Sequence, residues 1–433
     1  MLFNMGVSGF RRLRILAFLL TIVATAIGAL ASANESSNDD ALQAAFQRYL
    51  DAQTEALALY RQSPFFDSDQ AMADAYRGVL QYTIGSIKTG ALASHDHPRF
   101  ARFVDWTSKA GLENPDNNYY GALIADDGVY RITGRRGSHA QLIFQLVIGQ
   151  PGVGSAGSST NVDVLYGHEL NTDADDQFSI IVSRERPEDA SNWIRNAEGA
   201  ETLIVRSTFN DWLGEEHAPL LIERIDKPLT AAPANSSEAM IAALDRASQS
   251  LVDRTRSWLN LADNMWNRAP RNFLSPPRAT RGGLIGQYSA FGNWDLQPDE
   301  ALLVTFQTGD APYMGIQLGS LWFTSLDYET RITSLNGHQL GCAPQSDCTL
   351  VIAGEDPGIA NWLDTAGYSR GLIFMRWQGL AAMPAEATWP TVTKVRSAQL
   401  TELIGSEIPR ISAEARAAQR RARIQGVHTR FGG

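Results

Sequence analysis

The sequence predicts a mainly β protein with α additions: two tandem antiparallel, jelly-roll-like β-sandwich domains, an N-terminal helical cap, an inter-domain helix and a C-terminal helix. Three observations predict it. A stretch recurs, first as PEDASNWIRNAEGAETLIVR (Pro187–Arg206) and again as DPGIANWLDTAGYSRGLIFMRW (Asp356–Trp377). Each runs proline, short loop, Asn-Trp, polar turn, then an apolar strand with arginine at its end. Upstream, Asn114–Ile132 aligns with Gln297–Ile316, and Pro115 to Tyr130 has the spacing of Pro298 to Tyr313, which reads as one β-domain copied. Finally, about seven short alternating segments per copy, broken by Gly, Asp and Asn, fit a sandwich or jelly roll. No helices fit between them, so an α/β sheet is excluded.

In chain order, Arg11, Arg12 and Arg14 precede an apolar run, Ile15–Leu30, and the small residues Ala31-Ser32-Ala33. This reads as a secretory signal peptide over residues 1–33 and predicts an exported protein, periplasmic or secreted. Residues 34–112 read as helical. Leu42, Phe46, Leu50, Leu57 and Leu59 mark a helix over Asp39–Arg61; Met72, Tyr76, Val79, Leu80 and Ile84 mark one over Ser68–Thr89. Phe100, Phe103, Val104 and Trp106 suggest a third over Pro98–Ala110, with His95-Asp96-His97 at its cap.

At Asn114 the period becomes two. The first β-domain (113–227) has expected strands at Asn118–Ile124, Val129–Gly134, Gln141–Ile148, Val162–His168, Phe178–Ser183, Thr202–Thr208 and Leu220–Ile225. The Gly/Ser run Gly149–Thr160 is a loop. It lacks the Lys-Ser/Thr and the following helix that a phosphate cradle requires. Residues 228–283 form a linker and a long amphipathic helix carrying Met240, Ile241, Leu244, Leu251, Trp258 and Leu261. The second β-domain (284–396) has expected strands at Ala301–Gln307, Tyr313–Leu318, Thr330–Leu335, Thr349–Ala353, Gly371–Trp377 and Thr391–Val395, the last equivalent to Leu220–Ile225. The tail (397–433) is basic and helical from Ser412, and on an acidic protein it is expected to dock on the body.

The chain has 37 basic and 47 acidic residues; without the three leader arginines its net charge is near −13. Such a body argues against nucleic acid as a partner. No stretch after the leader is apolar enough to span a membrane. In an exported chain, Cys342 and Cys348, the two cysteines, are expected to close GCAPQSDC as a disulfide.

The motifs NPDNNYYGALI, YRITGRRG, NWIRNAEGAETLIVRSTF, LQPDEALLV, QLGSLWFTSLDY and DPGIANWLDTAGYSRG together resemble a bacterial exported family, the domain-of-unknown-function group numbered twelve-fourteen. The resemblance runs from about Met72 to Gly379. It implies a β-rich, jelly-roll-like build and transfers no catalytic residue.

Chemistry must therefore be read from the residues. The repeated Asn192-Trp193 and Asn361-Trp362 pairs read as structural, Asn bonding a turn and Trp filling the core, with Arg206 and Arg376 closing their strands as structural residues. Asp364, in the second copy alone, is expected to pair with Arg370 or Arg376 and is also a candidate catalytic carboxylate. Arg131, Arg135 and Arg136 present planar forks for a carboxylate, sulfate or phosphate. Tyr313, Gln317, Trp322 and Asp327 form the densest polar-aromatic stretch and suit a sugar ring or a flat ligand, with Tyr328 or His338 as a base. Nothing implies a metal or another cofactor. Three functions stay open: binding of a carbohydrate-like or polar, partly apolar small ligand between the domains; a lyase or hydrolase acting on acidic polysaccharide or a conjugated small molecule; and a structural envelope protein. The oligomeric state cannot be read from the sequence.

Overall fold

The computed structural model describes residues 37–154, 159–217, 219–280, 283–343, 345–404 and 408–431. The expected signal peptide and part of the Gly149–Thr160 loop lie outside them. Among the described residues no helix is long and apolar enough to cross a membrane.

Two helices open the fold, α1 (37–62) and α2 (Asp69–Ser86). The Ser68 hydroxyl accepts from the Ala71 amide at 3.2 Å and caps α2. Their buried stripe is not the large-residue face that the spacing suggests. Ala45, Tyr49, Ala52, Ala56 and Tyr60 are buried on α1, while Phe46 remains 51% exposed. On α2, Ala75, Gly78 and Tyr82 are buried and Leu80 is 63% exposed. Small residues win this face because they admit close approach: a β-carbon on Gly78 would lie 2.5 Å from the Tyr60 hydroxyl.

The first sandwich contains β1 (Ala101–Val104), β2 (Asn117–Leu123), β3 (Tyr130–Arg135), β4 (Gln141–Ile148), β5 (Thr160–Tyr166), β6 (Gln177–Ser183), β7 (Asn192–Arg195), β8 (Ala200–Thr208) and β9 (Leu220–Arg224). One sheet has the order β1-β2-β8-β4-β5, the other β7-β6-β3-β9. The expected third helix is thus a correction: its middle is strand β1. Phe103 projects over Gly121 on β2, where a β-carbon would sit 3.0 Å from its ring. Asp96 caps no helix there and instead accepts from Arg224 at 2.7 Å and Lys227 at 2.9 Å.

Helix α3 (Ser237–Arg268) leads to the second sandwich. Its strands are β10 (Phe273–Leu274), β11 (Arg278–Ala279), β12 (Gln287–Asp295), β13 (Glu300–Gln307), β14 (Tyr313–Gly319), β15 (Ser334–Asn336), β16 (Asp347–Ala353), β17 (Trp362–Asp364), β18 (Arg370–Gln378) and β19 (Thr391–Arg396). Its sheets have the orders β10-β12-β18-β14-β15 and β17-β16-β13-β19. Every strand from β2 to β9 therefore has a counterpart at the same place in the second half. That topology corrects the upstream alignment by one strand: β2 corresponds to β12, not to β13, and Tyr130 to no residue near Tyr313. The slip follows from β12, whose polar and glycine-containing GQYSAFGNWD carried no clear strand signal.

The Asn-Trp pairs sit at equivalent points, where β7 and β17 join their sheets in parallel. Asn192 donates to the Ser179 carbonyl at 3.0 Å, and Asn361 to the Thr349 carbonyl at 3.2 Å. The Trp193 indole donates to Ser183 Oγ and the Trp362 indole to the Ala353 carbonyl, each at 3.0 Å. Cys342 and Cys348 form a disulfide in the hairpin beside Asn361.

After α4 (Leu400–Ile404), α5 (Ala413–Phe431) docks across both sandwiches. Arg416, Arg423 and Arg430 recur every two turns on one buried stripe. Arg416 pairs with Asp356 at 2.9 Å; Arg423 donates to the Tyr328 carbonyl (2.9 Å), the Ser334 carbonyl (2.9 Å) and Ser334 Oγ (2.8 Å). Arg430 donates to the Pro115 carbonyl of the first half at 3.0 Å. Buried cations are tolerable here because hydrogen bonds and the Trp212 ring, 4.6 Å and 4.1 Å from the guanidinium carbons of Arg423 and Arg430, replace water.

Arg423→Ala should therefore lower unfolding free energy by roughly 3 kcal/mol or more, because it leaves three buried acceptors bare. Arg421→Ala, on the exposed face of the same helix, should stay within about 0.5 kcal/mol by urea denaturation. A second prediction concerns acid. His217 stacks on Tyr120 (4.9 Å) and its Nδ1 lies 2.9 Å from Ser207 Oγ. Burial pushes its pKa down to about 4. The folded chain then binds fewer protons than the unfolded one, so stability is lost as pH falls from about 6.5 through about 4. His217→Phe should flatten this loss in urea midpoints measured across that window.

Candidate functional site

Strands β8 and β18 are apolar on both faces. Leu203 and Val205 point into the core of the first sandwich, Ile373 and Met375 into that of the second. The residues between them, Ile204 and Arg206 on β8 and Phe374 and Arg376 on β18, belong to the opposite faces. These two faces look at each other and leave a cavity of about 550 Å³, roofed by Trp258 and Leu261 of α3.

Arginine occupies the same place in each half. Arg206 lies opposite Ile143 on β4, and Arg376 opposite Gly315 on β14. Two residues further along those partners stand Gln145 and Gln317. Arg206 Nη1 donates to Gln145 Oε1, and Arg376 Nη1 to Gln317 Oε1. The Gln317 amide nitrogen in turn donates to the Glu113 carbonyl at 2.9 Å, and Arg376 Nη2 donates to the Leu112 carbonyl. Among the described residues neither guanidinium has a carboxylate within 4.0 Å. Burial pulls the pKa of both below the ordinary guanidinium value, and Tyr119 opposes that pull on both.

The walls between the arginines are aromatic. Phe291 and Phe374 stack at 4.0 Å; Trp258 and Phe323 stack at 5.5 Å. The Arg376 guanidinium carbon lies 3.6 Å from the centre of the Phe374 ring. Glu113 also faces the cavity, yet its carboxylate accepts from the Ser325 hydroxyl and amide, and burial pushes its pKa up. The site thus joins two cations without a salt bridge among the described residues to a lining in which aromatic rings stand beside Ser257, Asn260, Asn264, Thr280 and Gln287.

The residues singled out from sequence are spread over five places. Arg131 lies exposed on β3, 3.8 Å from Glu223, and Arg135 and Arg136 are exposed beyond it, away from the cavity. Tyr313 is buried between the sandwiches, its hydroxyl donating to Asp116 (2.6 Å) and Asn114 (3.0 Å), and Gln317 backs Arg376. Trp322, Asp327 and Tyr328 border a separate cleft of about 780 Å³ with Asp74 and Lys109. There the Trp322 indole is bonded to the Ala71 carbonyl at 3.0 Å, and the Lys109 ammonium sits 4.5 Å over the Tyr328 ring. Burial raises the Tyr328 pKa, which favours the protonated phenol. His338 is exposed and borders neither cavity. Asp364 pairs at 3.0 Å with Arg331, a correction to the expected Arg370 or Arg376, which face other partners from β18. Among the described residues, no three His, Cys, Asp or Glu side chains are grouped so as to hold a metal.

Sequence reasoning placed Arg206 and Arg376 as structural and missed Trp258, Phe291 and Phe374 as lining. A signal existed: Gln145 in QLIFQLVI and Gln317 in YMGIQLG are lone amides in apolar strands, and such a group needs a buried partner.

The fold is shared. A crystal structure of an uncharacterised protein from Burkholderia cenocepacia matches with a TM-score of 0.77 at 29% identity, covering 84% of this chain and 100% of that one. The VPA0106 protein of Vibrio parahaemolyticus matches at 10% identity with a TM-score of 0.39, covering 83% and 100%, too slight a likeness to extend the fold to it. No family model and no curated protein matches the chain, so its resemblance to the domain-of-unknown-function group stands on motifs alone.

The two arginines should differ in what their loss does to stability. Arg206→Met removes a desolvated cation with a single amide acceptor and should leave the thermal midpoint unchanged or raise it. Arg376→Met strands the Leu112 carbonyl and Gln317 and should cost about 2 kcal/mol or more in chemical denaturation.

Proposed function

We propose that this protein binds a small ligand carrying an anionic group on an apolar body, in the cavity between its two sandwiches. One observation carries the reading: Arg206 and Arg376 face a single cavity with aromatic rings on its lining, and among the described residues neither has a carboxylate within 4.0 Å. A desolvated guanidinium without a counter-ion is costly, and a ligand carboxylate or phosphate supplies the planar, bidentate partner it lacks. Ligand sites favour such domain interfaces, with few polar groups set in an apolar lining. Of the two ligand types open from sequence, the geometry favours the polar, partly apolar one over a sugar. The two charged forks call for an anionic group, which a neutral sugar lacks, while Ser257, Asn260, Asn264, Thr280 and Gln287 supply neutral polar groups on the same lining.

The setting supported by the leader, the disulfide and the motif resemblance is the periplasm or the exterior. In that setting the protein acts as an exported binder, not as an enzyme of acidic polysaccharide.

A thermal-shift and calorimetry screen tests this with carboxylates and phosphates on aliphatic or aromatic bodies, each beside its neutral amide or alcohol isostere. The acids should stabilise the chain by mass action, by about 2.7 kcal/mol at a hundredfold excess over Kd, and the isosteres should not. Arg206→Gln should weaken the effect, leaving only the part that Arg376 supplies. Equal shifts from acid and isostere, or binding indifferent to Arg206, would overturn the reading.

A further inference from the structure

We infer that the cavity's ligand carries two anionic groups, one for each guanidinium, joined by an apolar spacer. This rests on the reading above and narrows it.

Duplication supplies the first reason. Arg206 and Arg376 stand at the same register of equivalent strands, and each is oriented by the same backing amide, Gln145 or Gln317. The two sheets present these equivalent groups to one shared cavity. Both guanidiniums line the same cavity with Tyr119, whose ring centre is 5.7 Å from the Arg206 guanidinium carbon.

Charge gives the second reason. Glu113 is the one acid on the lining, and it is held by Ser325 and faces the Lys109 ammonium, whose Nζ lies 2.7 Å from the Leu326 carbonyl. Its charge and that of Asp116 bear on Arg376, but among the described residues no carboxylate lies within 4.0 Å of either guanidinium. A monoanion would satisfy one guanidinium and leave the other without a charged partner. A dianion neutralises both in one event.

The third reason fixes the spacer. Phe374, Phe291 and Ile204 supply an apolar part of the lining that suits a hydrocarbon spacer. The lining is not symmetric, however. Gly121 holds the place of Phe291 in the first half, and Phe103 of β1 covers it. A ligand with unlike ends is therefore accommodated as well as a symmetric one.

The experiment is isothermal titration of the full chain with α,ω-dicarboxylates from succinate to sebacate and with monocarboxylates of matched length. The best diacid should bind at one per chain and about tenfold more tightly than its monoacid, the factor that one more charge-assisted pair of ~1.4 kcal/mol supplies. In Arg206→Gln, checked for folding by circular dichroism, diacid and monoacid should come within about twofold of each other. Should that variant not fold, the ratio in the unaltered chain decides alone. Equal affinities at an Arg206-dependent site would overturn the two-anion inference and leave the binding reading intact. If neither series binds, both fall.

Discussion

Two guanidinium groups on one cavity, Arg376 buried and Arg206 half-buried, with no carboxylate within 4.0 Å among the described residues, are the constraint on which the rest of this structure turns. The desolvation of a cation is tolerable only where dipoles and π-faces replace the lost hydration. The protein supplies a part of that. Each arginine has one glutamine oxygen; Arg376 adds the Leu112 carbonyl and the face of Phe374. These groups orient the charges and do not cancel them. What remains is a positive potential inside a chain whose overall charge is −10, directed at a cavity.

The cavity persists because the sandwiches cannot slide together or apart. The segment Leu112–Asp116 enters the second half, with the Leu112 amide donating to the Phe323 carbonyl at 2.7 Å. Asp116 there accepts from the Tyr313 hydroxyl (2.6 Å), the Trp212 indole (2.6 Å) and Asn336 (2.9 Å), joining strands of both halves at one buried carboxylate. Helix α5 fastens the same seam from outside. A fully satisfied polar network of this kind fixes geometry more than it adds stability, since its members fit one arrangement only. The separation that leaves about 550 Å³ between two apolar sheet faces is held by these contacts.

Much of the fold was legible in the sequence, and the site was not. The duplication, the strands flanking Asn192-Trp193 and Asn361-Trp362, α1 to α3 and the docked basic helix all announce themselves by period or by repeat. Failures came where local pattern and tertiary setting disagree. Phe100, Phe103 and Trp106 have helical spacing but serve the edge strand β1, because Gly121 leaves a place that an aromatic ring must fill. Strand β12 has Gly and Asn within it and reads as loop, which displaced the alignment of the two halves by one strand. The site needed that alignment: only when β2 matches β12 do Arg206 with Gln145 and Arg376 with Gln317 emerge as one device used twice. The conspicuous YRITGRRG cluster drew attention instead, since three arginines in six residues are visible to the eye while two arginines 170 positions apart are not.

The most direct test of the unneutralised pair is a crystal of the full chain soaked in bromide, with anomalous differences collected at the bromine edge. The account predicts bromide within hydrogen-bonding reach of both Arg206 and Arg376 inside the cavity. It would be contradicted by carboxylates of the chain itself lying on the two guanidiniums, or by bromide peaks confined to the outer surface.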